Sequence, residues 1–291
     1  MSIENIYQTG ECKMKNIGTL GKMLENVREK HPLIHCITNY VTVNDCANAL
    51  LACGGSPIMS DDIDEVREIT SICGGLNINI GTLNARTIKS MLAAGAKANE
   101  LGHPVILDPV GAGASCLRTE TAMELVEKVK FSVIRGNISE IKTIAGTSSA
   151  TSGVDADEAD AVTDNTLEAT VKLAKNLSLR TGAVIAITGA VDIVADAERA
   201  YIIRNGDAMM SKVTGTGCML TAITAAYITA NPENTLDAAA AAVCSMGLSG
   251  ELARERMSDR DGNSSYRNFI IDEICNLTAE KLEKGAKYEI M

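Results

Sequence analysis

The 291-residue chain contains no tryptophan and two phenylalanines, and aromatic residues make up only 3% of it. Single-stranded nucleic acid is commonly held on aromatic platforms on which its bases stack, so that mode of binding is not expected. Positive charge is also scarce. Lys and Arg number 27 against 37 Asp and Glu, for a formal net charge of -10, and the sequence pI is about 4.9. Nucleic-acid-binding domains usually carry a basic face, so no nucleic-acid partner is expected. Histidine occurs three times and no Cys-x-x-Cys pair exists, which argues against a zinc site. No apolar run approaches the ~18 residues of a membrane span. The N-terminal stretch MSIENIYQTGECKMKN lacks the apolar segment of a signal peptide. A cytoplasmic protein without a membrane partner is expected.

Hydrophobic residues are 46% and charged residues 22%, which is ordinary globular usage. The length is near the upper range of a single hydrophobic core. We expect one domain over 16–291 after an N-terminal extension over 1–15. Most of the nine cysteines lie inside apolar runs such as LIHCITN, ALLACGG and AAVCSMG. They read as reduced, buried, small hydrophobes.

Six short apolar runs read as strands: LIHCITN (33–39), SPIMS (56–60), LNINIG (76–81), PVILDPV (104–110), FSVIRGN (131–137) and AVIAITG (183–189). Runs that are apolar nearly throughout suit a parallel sheet covered on both faces. Between them lie helical patterns: Ala85–Leu101, with Ile88, Met91, Leu92 and Gly95 on one face, Thr119–Lys130, and Asn165–Arg180. The alternation predicts an α/β fold, a mostly parallel central sheet with helices on both faces. The runs VDIVA, AYIIRNG and MMSKV between Val191 and Val213 predict antiparallel additions to one sheet edge, with Asn205–Gly206 as a hairpin signal. Beyond Gly217 the composition is helical: MLTAITAAYITA, Asp237–Arg254 and Phe269–Lys284. The polar stretch 146–165 is expected to be a mobile surface loop within the one domain.

Four turns at strand ends carry candidate chemistry. Gly215-Thr216-Gly217-Cys218 opens an apolar helix, so its backbone N–H groups and the helix dipole suit an anion such as phosphate. It is neither a Walker A loop nor a GxGxxG fingerprint. Asp108 ends the run PVIL, where ligands collect in open parallel sheets. It either serves Mg²⁺ or caps the following segment. Arg135-Gly136-Asn137-Ile138-Ser139-Glu140 also ends a strand. Asn137 and Glu140 fit a capping box, while Glu140 could face a metal–phosphate cluster and Arg135 a phosphate. Thr188-Gly189 is a fourth, weaker signal. Together the four place a phosphate cradle, carboxylates and a cation on one edge of the sheet. That inventory fits phosphoryl transfer, in which a protein supplies positioning and charge stabilisation.

The order of the Asp108 DPV segment, the Asn137–Glu140 NxxE segment and the late GTG turn resembles the ribokinase-like kinases of small vitamin precursors. GTGC in place of the commoner GTGD, with HCITNYVTVNDCAN (35–48), GGSPIMS (54–60), NIGTLN (79–84) and LDPVGAGAS (107–115), is similar to the hydroxyethylthiazole kinase family. The resemblance covers the chain from about Asn16. It implies a ribokinase-like three-layer fold and transfer of the ATP γ-phosphoryl group to 4-methyl-5-(2-hydroxyethyl)thiazole with Mg²⁺, in thiamine salvage. It further implies that Met59, Gly215, Asn39, Val41 and Gly81 bind substrate and that Arg135 and Thr188 bind ATP. Gly215, Thr216 and Gly217 would form the anion hole, Asp108 and Glu140 would lie near the metal, and Cys218 would be the catalytic residue beside the acceptor hydroxyl. A homotrimer with sites at subunit boundaries is implied as well. The segment Asp261–Arg267 departs from the family's GxGSFR element at Ser264 and Tyr266. A hydroxymethylpyrimidine kinase, an ATP-dependent dehydratase of the same fold and a non-catalytic nucleotide-binding regulator are the competing readings. Cys218 and SPIMS argue against the first. Cys218, where Asp is expected, argues against the second. Asp108, Glu140 and the GTG turn argue against the third.

Overall fold

All six predicted parallel strands form, with no boundary more than two residues from the predicted one. The computed structural model describes residues 18–146 and 166–291, so the expected N-terminal extension and the loop from Thr147 to Asn165 lie outside the described residues. The strands are β1 (Leu33–Ile37), β2 (Ser56–Met59), β3 (Gly75–Asn79), β4 (Val105–Asp108), β5 (Val133–Asn137) and β6 (Val184–Thr188). They lie in the order β2-β1-β3-β4-β5-β6, each parallel to its neighbours.

The sheet continues with antiparallel strands β7 (Asp192–Ala195), β8 (Ala200–Ile203) and β9 (Tyr288–Ile290). The first two are the expected edge additions. The third is not. The run MMSKV folds into a short 3₁₀ helix, Ala208–Lys212, started by Asp207, whose carboxylate accepts the Met209 N–H at 2.7 Å. Asn205 makes no hairpin turn, because its amide donates to Glu251 Oε1 at 3.1 Å and to the Gly285 carbonyl at 2.9 Å. The freed edge of β8 is filled by the C-terminal strand instead.

Eleven α-helices are present among the described residues: α1 (Thr19–Lys30), α2 (Val43–Cys53), α3 (Val66–Ile72), α4 (Ala85–Leu101), α5 (Cys116–Lys128), α6 (Ile138–Ala145), α7 (Leu167–Thr181), α8 (Thr216–Ala230), α9 (Thr235–Glu255), α10 (Asn263–Asn276) and α11 (Ala279–Gly285). The sequence reading missed α1, although its stripe Leu20, Met23, Leu24 and Val27 has helical spacing and is buried. The segment expected as one helix over Phe269–Lys284 is broken at Leu277. Thr278 restarts it by accepting the Lys281 N–H at 3.2 Å.

Alternate strand residues feed two cores, as the pleat requires. Ile34, Cys36 and Ile106 pack with α1, α2 and α8–α11, whereas Ile37, Leu107 and Ile185 pack with α3–α7. Three layers result. Eight cysteines lie among the described residues, all free; six are buried, and Cys116 and Cys275 are exposed. No helix among the described residues is long and apolar enough to cross a membrane.

The topology opens a crevice. From β1 the chain passes through α2 to β2 on one side, while from β3 it moves through α4 to β4 on the other. Adjacent strands whose connections diverge leave a gap at their C-terminal ends, and ligands bind there in open α/β sheets. The Thr38–Val41 and Ile80–Thr82 loops flank that gap. They approach so closely that a Cβ on Gly81 would meet the Asn39 amide nitrogen at 2.4 Å.

Candidate active site

Asp108 ends β4 with no solvent exposure. One carboxylate oxygen, Oδ2, accepts from Asn79 Nδ2 at 2.9 Å and Thr221 Oγ1 at 2.8 Å, and lies 3.5 Å from Arg135 Nη1. Burial pushes its pKa up, opposed first by the Arg135 charge and then by these hydrogen bonds. The other oxygen, Oδ1, is buried and has no partner among the described residues. Asp108 caps nothing: Ser115 is the N-cap of α5, accepting the Arg118 N–H. Its structural alternative therefore falls away.

Arg135, on β5, spans the crevice floor. Nη2 donates to Thr188 Oγ1 at the end of β6, and Nε is buried without a partner. The register Asn137↔Thr188 holds these two strand ends side by side. Gly217, in the first turn of α8, has no side chain because the guanidinium stands in its way. A Cβ there would lie 2.5 Å from Nη1.

Glu140 takes up its capping reading. It forms the capping box of α6, with Oε2 accepting the Asn137 N–H at 2.7 Å and its own N–H donating to Asn137 Oδ1 at 2.9 Å. Its second oxygen, Oε1, accepts the Gly111 N–H at 2.8 Å, so it also fastens the loop that follows Asp108. Burial, and then the nearby Asp108 charge, raise its pKa. Glu140 thus lies in the first turn of α6, close enough for the Asp108 charge to reach it, with both of its oxygens held by backbone N–H groups.

Gly215 is the N-cap of α8 at φ +88, a left-handed conformation natural to glycine. A glycine offers no capping side chain, so the first-turn N–H groups of Thr216, Gly217 and Cys218 have no intrahelical acceptor. They and the helix dipole present an anion site to the crevice. Cys218 is buried, and its Sγ accepts from Asn39 Nδ2 at 3.5 Å. Burial, with Asp108 second, pushes its pKa up, against hydrogen bonds from Thr42 and Asn79 and the Arg135 charge. Burial thus favours the neutral thiol.

Of the remaining predicted residues, Asn39 and Gly81 meet across the gap between the β1 and β3 ends. Asn39 Oδ1 accepts the Val41 N–H at 2.9 Å, and Asn79 Oδ1 accepts the Gly81 N–H at 2.8 Å. Val41 is 68% exposed, and Met59 is half-buried at the end of β2. Four residues went unread in the sequence: Thr42, Asn79, Thr221 and Asp192. Asp192 accepts the Gly189 N–H at 2.8 Å and is pushed up to about 7 by burial, with Arg135 pulling the other way. Polar residues inside the apolar runs LNINIG and MLTAITAAYITA were the available signal for Asn79 and Thr221.

The donor set suits Mg²⁺ in its usual nucleotide setting, where one or two carboxylates share the ion with phosphate oxygens and water. Asp108 Oδ1 is buried and unpartnered among the described residues. The described residues hold no cluster of three metal-ligating side chains, so a dedicated all-protein cage is not built.

Comparison with known proteins agrees with this geometry. The profile of the Hydroxyethylthiazole kinase family matches residues 24–280. The chain is 66% identical over 270 residues to a hydroxyethylthiazole kinase of Clostridium acetobutylicum, covering 93% of this chain and 99% of that one. It is 54% identical over 268 residues to that of Clostridium beijerinckii, covering 92% and 96%. A solved hydroxyethylthiazole kinase structure from Pyrococcus horikoshii superposes with a TM-score of 0.83 at 34% identity, covering 94% of this chain and 98% of that one. A ribokinase-like superfamily protein of Enterococcus faecalis, 11% identical with a TM-score of 0.61, shares the fold over 89% of this chain and 95% of its own.

Proposed function

The chain belongs to the hydroxyethylthiazole kinase family, and from that premise we propose how its residues move the ATP γ-phosphoryl group to the hydroxyl of 4-methyl-5-(2-hydroxyethyl)thiazole. Arg135 and Thr188 take the ATP phosphates at the ends of β5 and β6. The N–H groups of Thr216, Gly217 and Cys218 form the anion hole over the transferred group. Asp108 and Glu140 serve Mg²⁺, which when bound neutralises charge on the phosphate oxygens. Asn39, Val41, Gly81, Met59 and Gly215 surround the thiazole, and Cys218 lies beside its hydroxyl.

A neutral Cys218 thiol fits a loose transition state. The nucleophile needs little deprotonation while the Pγ–O bond to ADP breaks and the new P–O bond forms. Cys218 and Asn39 then orient the hydroxyl, whose proton leaves late to the phosphoryl oxygens. The observation that carries this reading is the convergence of an unpartnered Asp108 oxygen, the Arg135 guanidinium and the uncapped start of α8 on one crevice.

Tyr40 and Val41, in the loop after β1, are 51% and 68% exposed. These exposed apolar side chains support a homotrimer in which a second copy closes the site. A cytoplasmic location follows from the need for ATP.

A coupled assay of ADP release, run with the thiazole alcohol, hydroxymethylpyrimidine and no acceptor at varied Mg²⁺, tests the activity. Turnover confined to the thiazole alcohol and dependent on Mg²⁺ is expected. Equal turnover with the pyrimidine, or ADP release without acceptor at the same rate, overturns it. Sedimentation equilibrium tests the trimer.

A further inference from the structure

The last ladder hydrogen bond between β3 and β4 runs from the Ile80 N–H to the Asp108 carbonyl at 3.1 Å. Beyond it the two chains part. The β3 chain turns toward the thiazole wall at Gly81, and the β4 chain turns through Val110 and Gly111 under the carboxylate of Glu140. The carbonyls of Ile80, Gly81 and Val110 have thereby left the ladder. All three are gathered by one side chain, Arg118 from the first turn of α5. Its Nη1 donates to Ile80 O at 3.0 Å and to Val110 O at 2.6 Å, and its Nη2 donates to Gly81 O at 2.8 Å. The stem of Arg118 packs on the same turn. Gly111 sits at φ +71, where a Cβ would lie 3.1 Å from Arg118 Cδ. Ser115 fixes the backbone of Arg118 in turn, accepting its N–H at 3.3 Å.

We propose that Arg118 is a positioning residue for phosphoryl transfer: its guanidinium sets the spacing between the thiazole wall at Gly81 and the carboxylates Asp108 and Glu140. The assignment rests on the proposed function for the identity of the two sides. The rigid planar fork is what the task requires, because three carbonyls on two diverging chains need several donors held in one plane. An ammonium is a point charge on a flexible stem and cannot hold both loops in one register. Arg118 contacts backbone carbonyls alone among these loops, so it acts through the geometry it imposes.

The test is steady-state kinetics of the full-length Arg118→Lys and Arg118→Ala variants, with each substrate varied. A displaced reacting group can cost up to about 100-fold in rate, so Arg118→Lys is expected to raise the thiazole KM and lower kcat by about tenfold each. The ATP KM stays within about twofold, because Arg135 and Thr188 are fastened to each other and not through Arg118. Millimolar guanidinium, but not sodium chloride at equal ionic strength, restores part of the activity of Arg118→Ala. The proposal is overturned if Arg118→Lys keeps both thiazole parameters within twofold, if both substrate KM values rise together, or if guanidinium gives no more recovery than sodium chloride. Wild-type protein inactive on the thiazole alcohol would instead overturn the proposed function, and this assignment with it.

Discussion

The guanidinium of Arg135 occupies the volume that a side chain at Gly217 would need: a Cβ there would lie 2.5 Å from Nη1 and 2.8 Å from Nη2. A residue of the sheet and the first turn of a helix 82 positions later in the chain (217 less 135) are thus interlocked at the anion hole. This contact ties the start of α8 to the counter-charge of Asp108.

In Gly217→Ala the obstructing atoms are the far end of a flexible side chain, so Arg135 swings away and the fold survives. Alanine in a helix is favoured over glycine by up to about 1 kcal/mol, but moving Arg135 strips the buried Asp108 carboxylate of its counter-charge, which costs more, so the melting temperature should fall while the protein stays folded. Displacing Arg135 from Asp108 and Thr188 should lower kcat/KM by roughly 100-fold or more. Calorimetry beside steady-state kinetics checks both. Activity near wild type in the folded variant would remove Arg135 from the site.

Gly215→Ala should lower stability at the helix start itself. Its Cβ would sit 2.3 Å from Thr42 Cγ2 at a positive φ, and strain of this kind costs on the order of 1–3 kcal/mol. Adding Thr42→Ser removes the obstructing methyl but leaves the φ strain and the Cβ of residue 42 at 2.9 Å, so the double variant should recover only part of the urea midpoint. Full recovery would show that the left-handed conformation costs nothing there.

Cys218 separates a base from an orienting group. Burial holds it as a thiol. Cys218→Ser, which keeps a hydroxyl of similar reach for Asn39, should stay within about tenfold of wild-type turnover, whereas Cys218→Ala should fall further. A serine variant as inactive as the alanine one would point to a thiolate base.

Asp192 predicts a pH effect on stability. Its folded pKa of about 7 lies above the ordinary 3.8, so the folded state holds the proton more tightly between these values. Stability then falls as pH rises through that window, and the penalty is full above pH 7. Arg135 is the charged group whose field reaches Asp192. Asp192→Asn keeps an acceptor for the Gly189 N–H and loses the titration. Its melting temperature relative to wild type should climb between pH 4 and pH 8, by roughly 2–4 °C for each kcal/mol regained. A constant difference across that range would contradict the burial of an ionisable Asp192.

Much of the site could be read from the sequence because it stands at strand ends, and strand ends are marked locally. The six apolar runs end in Asn39, Met59, Gly81, Asp108, Arg135 and Thr188, within a few residues in each case, and a parallel sheet puts all such ends on one edge. Glu140 was legible as a capping partner, since a capping box spans three residues. Its bond to Gly111 was not, being a contact between residues 29 apart. The MMSKV run misled for a related reason. Its composition allowed a strand, and the choice was made by Asp207 at its start and by the amide of Asn205, which is engaged with α9 and the carbonyl of Gly285.

The sequence alone determined the alternation of strands and helices and the glycine turn before α8, because hydrophobic period and glycine's freedom act within a few residues. It also determined the family, through several ordered motifs. Tertiary structure decided what those residues do to one another. Thr221 reaches Asp108 across 113 residues, and Arg118 reaches the Gly81 carbonyl across 37. The reason is physical: a buried carboxylate, guanidinium or carbonyl must find a partner wherever packing brings one, and strand order and helix placement, not nearness in sequence, set which partner that is.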